Sequence, residues 1–334
     1  MKFIFRIFAA FVVVLGAAEA AELGQIRVWG GPADAELLRA WAEGFHRVQP
    51  GMEVKLTLHG PESAMMGVYT GAADLALMGR EMRLPAETMA FTWVWRYAPT
   101  VIEVANAGLG ANRPNGPLRV WANRSNPLTG LTMAQLDAIY GAECKRGGKP
   151  VKTWGDLGLN GEWAGRPVHI YGPAIDSVSG LFFRQAVLQG SYKWNPAVKE
   201  LADDRAVVGA VAGDVDGIGY GAAGSGESGV TAESGVSQRV GPARRSLGEG
   251  GDNARHLSIA GVELSEANLV NRRYPLGRVV TVVINRKPDT AIEPKTREFL
   301  RYVLSAEGQA AIASHGPCLP LSAEQVAAQL ENLQ

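Results

Sequence analysis

The stretch RPVHIYGPAIDSVSGLFFRQAVL, residues 166–188, sets two hydroxyls and a glycine where an apolar strand gives way to an amphipathic helix. The groups are Ser177, Ser179 and Gly180, with Asp176 just ahead of them. A helix start carries N–H groups without an intrahelical acceptor and the positive end of the dipole. Those N–H groups and serine hydroxyls together make an oxyanion site. The same serines serve equally as helix caps, because Ser is a preferred N-cap residue. Two further groups fit the same chemistry. Ser63 follows Gly60-Pro61-Glu62 at the start of a short helical pattern, again as cap or contact. Arg80 follows the strand pattern Asp74–Met78 and Gly79, and its adjacent acid is Glu81. Open α/β sheets bind ligands at the C-terminal ends of strands, which sets Arg80 apart from ordinary solvated arginines.

Other chemistries find little support. No GxSxG elbow or HExxH pair occurs, so the familiar hydrolase signatures are absent. The five histidines (His46, His59, His169, His256, His315) are scattered, and Cys144 and Cys318 stand alone, so no metal site is expected. Lys plus Arg and Asp plus Glu number 33 each, and this balance attracts neither nucleic acid nor anionic membrane.

The elements that must position these groups follow from periodicity. Residues 25–29 read as a strand, and Leu37, Leu38, Trp41, Phe45 and Val48 as a helix ended by Pro50-Gly51. Val54–Leu58 is a second strand, a helix runs through Met66 and Tyr69 to Gly71, and Asp74–Met78 is a third strand. Thr132 and Gln135 match a capping box. Pro167–Tyr171 then reads as a strand, 181–188 as a helix, 207–211 as a helix and 217–220 as a buried strand. Residues 278–285 form another buried strand, with helices through 299–304 and from 306. This alternation is the grammar of a parallel sheet flanked by helices. Residues 221–255 depart from it, being rich in Gly, Ser and Glu, and read as a flexible insertion.

The chain opens with Lys2 and Arg6, an apolar run from Ile7 to Leu15, and Ala18-Glu19-Ala20. That is the layout of an export signal over residues 1–20, which predicts a soluble periplasmic protein. An oxidising compartment permits a Cys144–Cys318 disulfide, and two isolated thiols are the alternative reading.

Four segments carry a family resemblance. They are Asn126-Pro127-Leu128-Thr129-Gly130-Leu131-Thr132-Met133-Ala134-Gln135-Leu136, then Lys152-Thr153-Trp154-Gly155-Asp156-Leu157, then Asp176-Ser177-Val178-Ser179-Gly180. The fourth runs from Tyr274-Pro275-Leu276 through Val282–Asn285 to Ser305-Ala306-Glu307-Gly308-Gln309. In this order they closely resemble the periplasmic phosphate-binding proteins of ABC importers (PstS-like), over most of residues 25–325. The resemblance implies the two-lobed type II periplasmic binding protein fold, an α/β class in which each lobe is a helix-flanked mixed sheet and the ligand lies in the cleft between lobes. Lobe 1 would be residues 21–118 plus 282–334, and lobe 2 residues 119–281. Pro117–Ser125 and Tyr274–Thr281 would be the hinge strands.

The resemblance also implies a ligand set of Ser63, Arg80, Ser177, Ser179 and Gly180. In the family a carboxylate accepts a hydrogen bond from protonated phosphate. This chain departs from the family pattern in three places. The first loop, Gly31-Pro32-Ala33-Asp34, lacks hydroxyls, and Asp34 either caps the helix or faces the site. Leu181 stands where the family has threonine, and Gly172-Pro173-Ala174 where it often has an arginine. Under the family layout a Cys144–Cys318 bond would link the lobes.

The function implied is an exported receptor that binds inorganic phosphate, or a related oxyanion, and delivers it to an ABC transporter permease in the inner membrane. It would be a monomer, with no enzyme activity, cofactor, metal or nucleic-acid partner. One alternative is an interaction or sensing module whose anion binding is weakened or lost. The other is an exported hydrolase built on Ser179, with His169 approaching in space.

Overall fold

The computed structural model describes residues 24–109, 116–222, 253–315 and 318–334. The expected signal segment, and residues 223–252 of the expected insertion, lie outside the described residues. The chain divides into two units, one ending at Ala105 and resumed at Val279–Gln334, the other Asn106–Arg278.

The first unit is built on strands β1 (Gln25–Gly30), β2 (Glu53–Leu58), β3 (Leu75–Leu77) and β4 (Thr100–Ala107). The second unit contributes β5 (Arg119–Asn123), β6 (Gly130–Leu131), β7 (His169–Pro173), β8 (Lys199–Leu201), β9 (Gly217–Gly221), β10 (Ala254–His256) and β11 (Ser258–Ile259). The chain then returns to the first unit with β12 (Val279–Ile284) and β13 (Cys318–Leu319). The first sheet has the order β13-β4-β12-β3-β1-β2. β1 pairs in parallel with both β2 and β3, with Val28 opposite Leu56 and Leu75. β12 runs antiparallel to β3.

Successive strand residues point to opposite faces, and the two faces of this sheet are both buried. Leu75, Leu77, Val282 and Ile284 join one core with α1 (Ala35–Val48), whose Leu37, Leu38, Trp41 and Phe45 form a single stripe. Ala76, Met78 and Val283 face the other way, onto Ala64, Met65 and Val68 of α2 (Pro61–Thr70) and Phe91 of α3 (Ala86–Trp95).

The second sheet has the order β10-β5-β9-β7-β8, parallel from β9 through β7 to β8. Between its strands run α4 (Met133–Tyr140), α5 (Val178–Ala186) and α6 (Asp204–Gly213). Thr132 and Gln135 close the expected capping box on α4. Tyr140, Phe183 and Tyr220 pack as an aromatic core, with Phe183 stacked on Tyr220 at 3.9 Å between ring centroids. A short helix α7 (Glu266–Val270) leads to the return strand. The first unit is completed by α8 (Pro294–Val303), α9 (Ala306–His315) and α10 (Ala323–Glu331).

The structure bears on three of the sequence readings. The segment Pro117–Ser125, expected as a hinge strand, contains the fully buried β5, which pairs with β9 inside the second sheet. The ends of the expected insertion are ordinary sheet: Gly221 closes β9, and Ala254–His256 pairs with β5. No disulfide joins the cysteines, each of which is a thiol. Cys318 is buried in the first core, and burial pushes the Cys144 thiol above its ordinary pKa, with Asp137 adding to the effect.

Candidate functional site

In the first unit β2, β1 and β3 are parallel neighbours, so the loops that follow them emerge at one edge. Those loops are 31–34, 60–63 and 78–81. The Gly60 N–H donates to Gly30 O at 3.0 Å and ties the first two together. Asp34 is buried and makes no side-chain cap on α1, which removes the cap reading of that residue. Ser63 lies in the first turn of α2, one position after Glu62. It is half-buried, and no hydrogen bond engages its hydroxyl among the described residues.

Arg80 is placed by its backbone. Gly79 takes φ +62°, a left-handed turn that suits glycine. Thr281 of β12 donates its hydroxyl to Arg80 O at 2.7 Å. The Arg80 side chain is only 1% exposed, so its charge must be met internally. Glu81, the acid adjacent in sequence, supplies its backbone oxygen to Nη1 at 2.8 Å. The charge partner is Glu87 of α3, whose carboxylate accepts from Nη2 at 2.6 Å and Nη1 at 3.1 Å. Glu87 also accepts the Arg83 N–H at 2.7 Å, so it is fixed from two sides. Glu62 Oε1 stands 3.7 Å from Arg80 Nη2 and 2.9 Å from Arg83 Nη2.

A guanidinium has five N–H donors in a rigid fork. Glu87 occupies the end formed by the two Nη atoms. The side edge, formed by Nε–H and the Nη2–H beside it, is a second bidentate face. Arg80 Nε is buried and has no hydrogen-bond partner among the described residues. A planar, bidentate donor edge of this kind matches the spacing of two oxygens on a phosphate or carboxylate.

In the second unit the loops after β7, β8 and β9 meet in the same way. The expected helix start at Leu181 moves to Val178, because the Ser177 side chain accepts the Gly180 N–H at 3.1 Å and draws in an earlier first turn. Ser177 is therefore a helix cap in this structure, and Ser179 and Gly180 lie inside that turn. A Cβ on Gly180 would sit 2.5 Å from Ala174 O and 2.7 Å from Ile175 O, so only glycine lets the turn approach its own loop. The Ser179 hydroxyl donates to Asp204 Oδ2 at 2.8 Å, and the Ala222 N–H donates to the same oxygen at 2.8 Å. Burial raises the Asp204 carboxyl above its ordinary pKa, and the bonds from Ala222 and Ser179 and the charge of Arg278 only partly offset this. The N–H groups of Val178 and Ser179, at the start of the turn, have no acceptor within the helix.

The structure thus brings Ser63 and Arg80 onto neighbouring loops of one unit, and Ser177, Ser179 and Gly180 onto one turn of the other. Glu87, Glu62 and Asp204 escaped the sequence reading. For Asp204 a signal exists: Asp203 caps α6 through the Ala206 N–H, which leaves the second of two adjacent acids unexplained. For Glu87 there is none, because the helix that carries it has no amphipathic stripe.

Two α/β units, each with polar loops gathered at the C-terminal ends of parallel strands, are the make-up of a two-lobed periplasmic solute-binding protein. Solved structures share this fold. The chain aligns with an ABC-type phosphate transport receptor from Vibrio cholerae at a TM-score of 0.54 and 17% identity, covering 89% of this chain and 99% of that one. It aligns with PstS from Borrelia burgdorferi at a TM-score of 0.56 and 13% identity, over 89% and 99% of the two chains. In sequence it is 33% identical over 303 residues to the phosphate-binding protein PstS of Pseudomonas aeruginosa, spanning 90% of this chain and 84% of the relative. A family model described as a PBP superfamily domain matches residues 15–307. This chain belongs to the PBP superfamily, among its PstS-like phosphate-binding proteins.

Proposed function

We propose that this chain is an exported receptor that binds inorganic phosphate in the periplasm and presents it to an ABC permease of the inner membrane. The observation that carries the reading is the Nε/Nη2 edge of Arg80: buried, bidentate, and with no partner at Nε. Burying such a donor is costly unless an acceptor meets it, and an oxyanion is the acceptor that fits. Ser63 would add its unengaged hydroxyl beside Arg80. Ser177, Ser179 and Gly180 would add the start of α5, with its N–H groups and dipole. Binding needs no bond-making chemistry, so on this reading the chain is a receptor and not an enzyme, acting as a monomer. The 33% identity to a protein named as phosphate-binding supports the choice of anion.

A second reading is favoured by one observation. Ser179 spends its proton on Asp204, and Gly180 spends its N–H on Ser177. The second unit therefore offers fewer donors than its sequence promises, as a sensing or interaction module with weakened anion binding would. Calorimetric titration of refolded, ligand-stripped protein separates the two. A 1:1 heat with phosphate and none with sulfate or small organic anions is expected for the receptor. No heat with any anion would remove the receptor reading.

A further inference from the structure

The unpartnered edge of Arg80 is not an open one, since the side chain is 1% exposed. Two carboxylates flank this guanidinium, and they differ in kind. Glu87 is 13% exposed in its side chain, holds both Nη atoms and is itself held by the Arg83 N–H. Glu62 is 57% exposed, and its 3.7 Å to Nη2 is an ion pair too long to be a hydrogen bond. Its closer partner is Arg83 Nη2 at 2.9 Å, a residue whose side chain is 27% exposed. Glu62 therefore stands near Nη2, one of the two donors of the unfilled edge, without a hydrogen bond to it, and its other anchor, Arg83, is itself only partly exposed.

We propose that Glu62 is a resident anion of the site: an incoming phosphate displaces it from Arg80, and its presence sets the affinity below what the Arg80 edge alone would give. The proposal rests on the reading of Arg80 as a phosphate donor. The exchange keeps an anion at the guanidinium, and the released carboxylate stays paired with Arg83. Phosphate has the advantage of two oxygens at the spacing of Nε and Nη2, where Glu62 presents one oxygen near Nη2 alone. Glu62 is thus an affinity-determining residue of the site. Ligands that cannot engage both donors do not repay its displacement.

The test is calorimetric titration of the full, ligand-stripped chain with phosphate and with sulfate, for wild type, Glu62→Gln and Glu62→Ala. Ligand-free melting temperatures report folding, which an exposed side chain should leave intact. Both variants are expected to bind phosphate about fivefold more tightly at low salt, the size of effect a largely exposed ion pair supports. The gap to wild type should narrow at high salt, where the Glu62 charge is screened. Phosphate binding by the variants but not by wild type would support the proposal in its strongest form. Phosphate binding that is unchanged or weaker in Glu62→Gln, beside a wild type that binds, overturns the proposal and leaves the receptor function standing. A gain in sulfate binding with weakened phosphate binding also overturns it, since Glu62 would then be accepting a hydrogen bond from the protonated ligand. Silence of all three proteins overturns both.

Discussion

Replacing Arg80 with lysine tests the bidentate edge without removing its charge. The Arg80 guanidinium already commits Nη1 to Glu81 O and to Glu87, and Nη2 to Glu87. Two parallel donors, Nε–H and the second Nη2–H, remain for an anion. A lysine keeps the ion pair with Glu87 but has three N–H groups on one atom, so it cannot present two parallel donors to one phosphate. At least one charge-assisted hydrogen bond is lost, worth about 1.5–3 kcal/mol. Phosphate affinity should therefore fall about 10- to 150-fold in Arg80→Lys. Isothermal calorimetry on ligand-stripped protein gives the affinity, and the ligand-free melting temperature shows whether the fold survives. A Kd within about threefold of wild type, in a variant that melts normally, would refute the assignment of this edge, since losing even one such bond costs more.

Two other perturbations have defined outcomes. Gly180→Ala should destabilise the protein by about 1–3 kcal/mol in urea unfolding, because its Cβ would lie 2.5 Å from Ala174 O and force the turn apart. An unchanged unfolding midpoint would contradict the packing of that turn. Asp214→Asn addresses acid stability. Burial acts to raise the Asp214 carboxyl, but hydrogen bonds from Tyr171, His169 and the Asp216 N–H outweigh it and hold its pKa below the ordinary 3.8. A carboxyl lowered on folding adds stability above its unfolded value and loses it as pH falls through the folded one. Wild type should therefore lose melting temperature more steeply than Asp214→Asn as pH drops below about 4, and should be the more stable of the two at pH 7. Parallel acid limbs would show that Asp214 carries no such linkage.

Local grammar was legible wherever neighbours in sequence are neighbours in space. The alternation and periodicity of residues 25–78 gave β1, α1, β2, α2 and β3, and the capping box at Thr132 and Gln135 stands as read. The place of Arg80 was legible too, because the C-terminal end of a strand is a sequence property. Its environment was not. Residues 86–95 bury only Phe91 and leave Met89, Trp93 and Val94 exposed, so no stripe announces α3 and no sign points to Glu87. Ser179 meets Asp204 across 25 residues, a contact made by two βα turns packing side by side. The start of α5 was misplaced for a related reason, since a serine cap acts on the residues after it and pulled Ser179 and Gly180 into the helix. What sequence supplies, then, is the inventory of donors. Which donors are already spent is set by contacts between loops, and that decides what is left for a ligand.

The most direct measurement is a crystal structure of the protein with phosphate. Two phosphate oxygens are expected within hydrogen-bond distance of Arg80 Nε and Nη2, with Glu87 still on the Nη end and the Ser63 hydroxyl turned to the same anion. Phosphate bound elsewhere, with Arg80 Nε still unpartnered, would contradict the account.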